Sequence, residues 1–196
     1  MTNNQKMKRT FDLNFCEQRS EGDNAKILEG YAVVFDSPTV LYEVDGVEYK
    51  EIISRNAFDG ADLKDVCLKY NHNDSALILA RTRNKSLTIE IDDKGLKFRA
   101  VLPDTTGAND VYELVKCGLL DKCSFAFRCE ASDYDKETHT RNITKIKRLY
   151  DVSVVDVPAY DDTNVEARSY FDGIAKAQCA MERAQRVKKM ICKSYL

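Results

Sequence analysis

The pattern of apolar and polar positions predicts that the first 160 residues of the chain are mostly β-structure. Apolar side chains alternate with polar ones near residues 11–15, 31–35, 87–91, 96–102, 123–131 and 149–157. A period of two is typical of strands, because successive side chains point to opposite faces. The dipeptide Asp45-Gly46 and the tetrapeptide 92–95 each separate two alternating segments, which predicts two hairpins. We therefore expect six to eight strands.

Three other segments carry helical signals. Ser54 is a suitable N-cap for a short helix that reaches Phe58. Residues 109–116 place apolar side chains on one helical face, and Gly118 follows as a normal C-terminal stop. Apolar residues recur at helical spacing between about 170 and 195, which predicts a C-terminal amphipathic helix. The predicted fold is mainly β with flanking helices, in the α+β class.

Charge divides the chain near residue 168. The 196 residues have a net charge of −2, which gives no signal for nucleic acid or an anionic membrane as a partner. Residues 168–196 hold seven Lys or Arg against two acidic residues, a balance of +5 that leaves −7 for residues 1–167. We therefore expect a β-rich domain at residues 1–168 and a basic helical tail at residues 169–196.

Residue usage further limits the chemistry. The seven cysteines are odd in number and form no CxxC motif, and there are two histidines, so we expect reduced thiols, no metal site and no cofactor. The longest apolar runs are short, as at residues 77–80, and the N-terminus is polar. These features predict neither a membrane span nor a secretory signal.

Three polar residues interrupt apolar strand segments. His72 ends the segment 66–72 on the same predicted face as Leu68. Ser124 points away from the apolar face of its strand, and Asp151 lies among apolar residues, where a charge needs a partner or a role. A strand-end histidine, a strand serine and an acid paired with a nearby base are also ordinary structural features. Spacing alone does not combine the three residues into a site.

Six segments, taken in order, resemble the tailed-phage prohead maturation proteases. They are residues 28–35 (LEGYAVVF), 52–58 (IISRNAF), 68–72 (LKYNH), 93–98 (DKGLKF), 118–127 (GLLDKCSFAF) and 151–159 (DVSVVDVPA). Together they cover about residues 26–168. These proteases are serine proteases related to herpesvirus assemblin. The resemblance therefore implies a small closed β-barrel of the herpesvirus-protease type.

The resemblance also implies a catalytic site at His72, Ser124 and Asp151. Ser124 corresponds to the nucleophile, His72 to the general base and acid, and Asp151 to the acid that orients the imidazole. A serine hydroxyl needs a base to become nucleophilic, and the base needs a third group that fixes its tautomer. His139 is an alternative third member, because the herpesvirus relatives use a second histidine. It lies in a polar stretch typical of a hairpin tip, which favours Asp151.

The chain departs from the family pattern at three positions. Asp151 stands where the family usually has Glu, which shortens the reach to the imidazole by one methylene. Ala126 replaces the usual Gly after the nucleophile, and Ala80 stands where a Gly often follows the histidine segment. The first change keeps the carboxylate and the other two exchange small residues, so we expect an active enzyme.

The function implied by the resemblance is a serine endopeptidase of capsid maturation. Its substrates would be the major capsid protein precursor and the scaffold segment, and it would also cleave itself, inside the procapsid in the host cytoplasm. The resemblance is compatible with a homo-oligomer, and it implies no nucleic-acid or membrane partner. One alternative is a catalytically inactive β-barrel that serves as a capsid assembly or scaffolding factor. A ligand-binding barrel is a second alternative, although no residue points to a particular ligand.

Overall fold

The computed structural model describes residues 6–12, 25–74 and 77–156, together with the single positions 173, 183 and 184. This part contains one α-helix, α1 (Thr106–Lys116), and one short 3-10 helix, Thr82–Asn84. The strands in it are β1 (Met7–Asp12), β2 (Lys26–Val34), β3 (Thr39–Val44), β4 (Val47–Ile53), β5 (Cys67–Tyr70), β6 (Ile78–Arg81), β7 (Leu87–Ile91), β8 (Gly95–Leu102), β9 (Lys122–Asp135) and β10 (Thr140–Val155).

The chain divides into two compact units, Met1–Tyr160 and Asp161–Leu196. All ten strands belong to the first unit. The predicted C-terminal helix, and with it the basic tail at residues 169–196, falls outside the described residues apart from three isolated positions. No helix in the part that the structure describes is long and apolar enough to cross a membrane.

Both predicted hairpins are confirmed. Strands β3 and β4 pair antiparallel around Asp45 and Gly46, whose φ angles of 51° and 78° suit the two central residues of a type I′ turn. Strands β7 and β8 pair antiparallel around residues 92–94. There the Asp92 carboxylate accepts hydrogen bonds from the backbone N–H groups of Lys94 (2.8 Å) and Gly95 (2.9 Å). Local side-chain chemistry therefore determines both turns.

Helix α1 is confirmed, and it begins three residues earlier than the pattern predicts. The side chain of Thr105 caps the helix by accepting a hydrogen bond from the backbone N–H of Ala108. At the other end Gly118 has a φ of +75°, the left-handed conformation that glycine adopts without a steric cost. The buried face consists of Ala108, Val111 and Val115.

The short helix predicted from Ser54 to Phe58 is wrong, because this segment forms successive turns. The backbone N–H of Ala57 donates to the Ser54 carbonyl at 2.9 Å, and that of Ala61 donates to the Phe58 carbonyl at 3.0 Å. The Ser54 hydroxyl does not cap a helix but donates to Oδ1 of Asn142 on β10 at 2.6 Å. This contact with a distant strand replaces the local cap.

The large sheet is built around β10, the longest strand. Its order is β1-β9-β10-β4-β3, and β5 and β6 extend it from a second point on β10. One edge of β10 pairs antiparallel with β9 along most of its length. The other edge pairs in parallel, first with β4 at residues 140–143 and then with β5 at residues 151–154. A second sheet has the order β2-β8-β7.

The predicted closed barrel is wrong for the part of the chain that the structure describes. Strands β2 and β7 each pair only with β8 in the smaller sheet, so no ring of hydrogen bonds joins the two sheets. The sheets share one apolar core, which contains Leu28 and Phe98 from the smaller sheet and Phe125 and Ile146 from the larger. Burial of apolar side chains holds the sheets together without continuous strand pairing.

Candidate active site

Strand β10 places two polar side chains opposite the predicted nucleophile. In the antiparallel register with β9, Asp151 pairs with Ala126 and Ser153 pairs with Ser124. Side chains two residues apart lie on the same face of a strand, and directly paired residues share that face. Asp151, Ser153 and Ser124 therefore lie together on one face of the large sheet.

His72 reaches the same place from the other edge of β10. Strand β5 runs parallel to β10, with Tyr70 paired to Val154, and the chain then turns at Asn71 and His72. These two residues have φ angles of 52° and 50°, so the strand predicted through residue 72 ends at Tyr70. The backbone N–H of Asn71 donates to the Val154 carbonyl at 2.9 Å, which holds the turn on β10. Left-handed non-glycine residues often occur where a functional side chain must be aimed.

The imidazole of His72 contacts both other predicted residues. Nδ1 is hydrogen-bonded to Oδ1 of Asp151. Nε2 lies 2.6 Å from the hydroxyl oxygen of Ser124. A carboxylate can only accept, so the proton resides on Nδ1 and Nε2 is free to accept the serine proton. The exposed fractions of His72, Ser124 and Asp151 are 8%, 0% and 1%.

Asp151 is ionised in this buried position. Burial alone raises the pKa of its carboxyl group, but the hydrogen bond and charge of His72 and the charge of Lys6 together outweigh it, so the pKa lies below the usual range. The second carboxylate oxygen, Oδ2, is 3.1 Å from Nζ of Lys6. The site therefore holds a fixed negative charge beside the imidazole ring.

Two residues that contact the site were missed in the sequence. The hydroxyl of Ser153 donates to Oδ1 of Asp151 at 3.1 Å and lies 3.1 Å from Nδ1 of His72. Its position two residues after Asp151 is a local signal that could have identified it. Lys6 carries no such signal, because its contact with Asp151 depends on where β1 joins the sheet.

Ser124 has a second hydrogen-bond partner. Its hydroxyl lies 2.9 Å from the backbone carbonyl oxygen of Arg9, which belongs to β1. The single hydroxyl proton can therefore go either to this carbonyl or to Nε2 of His72. Because the Ser124 side chain has no accessible surface, substrate cannot reach it in this conformation.

The structure does not bring His139 together with His72 and Ser124. It lies at the tip between β9 and β10, as the polar stretch predicts, with a φ of 50°. Its Nδ1 is 3.1 Å from the hydroxyl of Tyr134, and its ring packs 4.9 Å from that of Tyr49. Within residues 6–12, 25–74 and 77–156, no three His, Cys, Asp or Glu side chains gather as metal ligands would.

Comparisons with known proteins give the family and a structure of similar fold. The solved structure of the capsid assembly protease of bacteriophage T4 is similar in fold, with a TM-score of 0.52 and 12% sequence identity over 79% of this chain and 98% of that chain. No curated protein matches the sequence. The sequence model of the caudovirus prohead serine proteases matches residues 14–176, a range that includes His72, Ser124 and Asp151. By this match the chain belongs to the caudovirus prohead serine protease family.

Proposed function

We propose that Ser124, His72 and Asp151 are the catalytic residues of a serine endopeptidase. One observation carries the proposal, namely that the imidazole contacts the carboxylate through Nδ1 and the serine hydroxyl through Nε2 at 2.6 Å. This is the relation of nucleophile, base and orienting acid that acyl transfer requires. The family match supports the same reaction.

The chemistry follows from the positions of the protons. The Ser124 oxygen attacks the scissile carbonyl carbon while Nε2 of His72 takes the hydroxyl proton, and the resulting imidazolium is stabilised by the Asp151 carboxylate. The imidazolium then gives its proton to the leaving amine as the peptide C–N bond breaks. Water, activated by the same nitrogen, hydrolyses the acyl-enzyme and regenerates the serine.

The substrates that we propose are the major capsid protein precursor and its scaffold segment, cleaved inside the procapsid in the host cytoplasm. Membership of the prohead protease family supports this assignment, and the T4 neighbour is itself described as a capsid assembly protease. We further propose that residues 169–196 form a basic helical tail that directs the enzyme to the procapsid. The tail segment has a charge of +5 from residue 168 onward, which suits an acidic shell or scaffold surface.

Labelling with a fluorophosphonate probe, which reacts with activated serines, tests the proposal. We expect the probe to modify Ser124, as located by mass spectrometry, and Ser124→Ala to remove the modification without changing the circular dichroism spectrum. Cleavage of co-expressed capsid precursor should be lost in the same variant, by a factor of about 10⁴ or more. Unchanged cleavage by Ser124→Ala would refute the serine mechanism. A folded protein that neither reacts with the probe nor cleaves the capsid precursor would favour the inactive scaffolding factor.

A further inference from the structure

The N-terminal strand β1 covers the edge of β9 that carries Ser124. Residues Met7–Asp12 pair antiparallel with residues 122–127 of β9, and Thr10 lies directly opposite Ser124. Among the strands in the described part of the chain, β1 is the last on this side of the large sheet. An extended segment that adds to a sheet edge beside a nucleophile occupies the position in which a peptide would bind by strand addition.

A backbone carbonyl group of β1 is hydrogen-bonded to the hydroxyl of Ser124. The Arg9 carbonyl oxygen lies 2.9 Å from the Ser124 hydroxyl oxygen, so a peptide carbonyl from the same chain already sits beside the reactive atom. It competes with Nε2 of His72 for the hydroxyl proton. In this conformation Ser124 is inaccessible, and its hydroxyl proton has a second acceptor besides its base.

The side chain of Arg9 anchors β1. It is 1% exposed, and its Nε and Nη2 atoms donate to the carboxylate of Glu51 at 2.5 and 3.0 Å. Arg141 donates to the same carboxylate at 3.3 Å, so Glu51 keeps one cationic partner when Arg9 is absent. A buried acid with two arginines forms a receptor for one guanidinium group, since charge-assisted bonds in a fork are strong and directional.

Strand β1 precedes the residues that match the family model. The family match begins at residue 14, after the last residue of β1. The matched residues therefore include Ser124, His72 and Asp151 but not β1. The covered edge of β9 lies within the matched residues.

We propose that the edge of β9 at residues 122–127 is the docking surface for an extended peptide substrate, and that β1 occupies it in cis until it is displaced. The favoured peptide carries an arginine at the position of Arg9, where Glu51 receives it. The inference rests on the proposed protease function. Displacement of β1 also removes Lys6 from Asp151, which leaves the whole carboxylate charge to the imidazolium of His72.

Substitution of the anchor tests whether β1 must leave. Arg9→Ala in the full chain should raise the rate of fluorophosphonate labelling of Ser124 by about tenfold to a hundredfold, the range expected for one or two charge-assisted hydrogen bonds. Lys8→Ala is the matched control, because the Lys8 side chain is exposed on the same strand. It should label at the wild-type rate. Equal rates for Arg9→Ala and wild type would overturn the inference.

A reversible crosslink provides a second test that does not depend on loss of the anchor. Lys8 and Ala126 are directly opposed, and such pairs lie close to disulfide distance, so Lys8→Cys combined with Ala126→Cys allows β1 to be locked onto β9. We expect the oxidised form to resist labelling and the reduced form to react, with Lys8→Cys alone reacting in both states. Equal labelling of the locked and reduced forms would show that substrate reaches Ser124 with β1 in place.

A competing peptide tests the class of ligand. The peptide with the sequence of residues 6–12, KMKRTFD, should slow labelling of the Arg9→Ala variant. The same peptide with alanine in place of its arginine should need about tenfold more peptide for the same effect. Equal competition by both peptides would refute the arginine preference. Absence of Ser124 labelling in every variant would instead refute the proposed protease function, and the inference with it.

Discussion

Replacement of Asp151 by asparagine isolates what the buried carboxylate contributes to the reaction. In the structure this group accepts from Nδ1 of His72 through one oxygen and faces Nζ of Lys6 at 3.1 Å through the other. An asparagine side chain has nearly the same shape but presents one oxygen and one NH₂ group. With β1 in place, its NH₂ group meets a donor in either orientation, either the imidazole Nδ1–H or the lysine ammonium.

The size of the effect follows from this conflict. If the amide NH₂ faces the ring, the proton moves to Nε2, and the nitrogen that should take the Ser124 proton is no longer a base. If the amide oxygen faces the ring, the tautomer is kept but the imidazolium loses its counter-charge. We expect the labelling rate of Ser124 to fall by about 10³- to 10⁴-fold, or about 4–5.5 kcal/mol at 1.36 kcal/mol per tenfold.

The assay is the second-order rate of fluorophosphonate labelling, measured in the Arg9→Ala background so that access to Ser124 does not limit the rate. Asp151→Glu is the matched control, because it keeps the charge and is the residue usual in the family. It should lose much less activity than Asp151→Asn, although the added methylene must fit a buried site. His139→Ala should react at the rate of its background, since His139 contacts Tyr134 and Tyr49 instead of His72.

The role of Asp151 as the orienting acid would be refuted if Asp151→Asn labelled within about tenfold of its background while His139→Ala was inactive. That result would assign the third role to His139. Circular dichroism and thermal melting of both variants exclude loss of the fold as the cause.

Three further predictions concern the surroundings of the site and the fold. Removal of the hydroxyl that donates to the carboxylate, by Ser153→Ala, should slow labelling about fivefold, whereas Ser54→Ala, which removes a hydroxyl bond to a distant part of β10, should not change it. Gly95→Ala should lower the melting temperature more than Gly60→Ala, because a Cβ at residue 95 would lie 1.9 Å from a backbone oxygen of β2, while one at residue 60 meets only the cost of a positive φ. The pKa of Asp151 is lowered in the folded state, so its ionised carboxylate stabilises the fold. This stabilisation is complete above the unfolded-state pKa of about 3.9 and is lost as the pH falls through the folded-state pKa. The difference in unfolding free energy between wild type and Asp151→Asn, measured in urea, should therefore narrow between about pH 5 and pH 2.

The elements that could be predicted from the sequence are those whose causes are local. Asp45 and Gly46 turn the chain with their own positive φ values, and the Asp92 carboxylate binds backbone groups two and three residues ahead. Helix α1 is likewise determined by its cap and its apolar spacing. The helix predicted at Ser54 does not form, because the Ser54 hydroxyl donates to Asn142. Asn142 is 88 positions away, so this contact cannot be predicted from the local sequence pattern.

The site shows the same division. The motifs and the family resemblance identify His72, Ser124 and Asp151 by sequence, and alternation along β10 already implies that Ser153 shares the face of Asp151. The order of the strands in the sheets cannot be predicted in the same way. Backbone hydrogen bonds are alike at every residue, and the neighbour of a strand is determined by the burial of whole faces.

The pairing of the strands, and with it the access to the nucleophile, depends on tertiary packing. The parallel placement of β5 beside β10 brings His72 to Asp151, and packing without a hydrogen-bonded ring replaces the expected barrel. The pairing of β1 with β9 sets the Arg9 carbonyl against Ser124 and Lys6 against Asp151. These contacts join residues more than 100 positions apart, and the buried ion pair of Arg9 with Glu51 is one of the interactions that hold that strand in place.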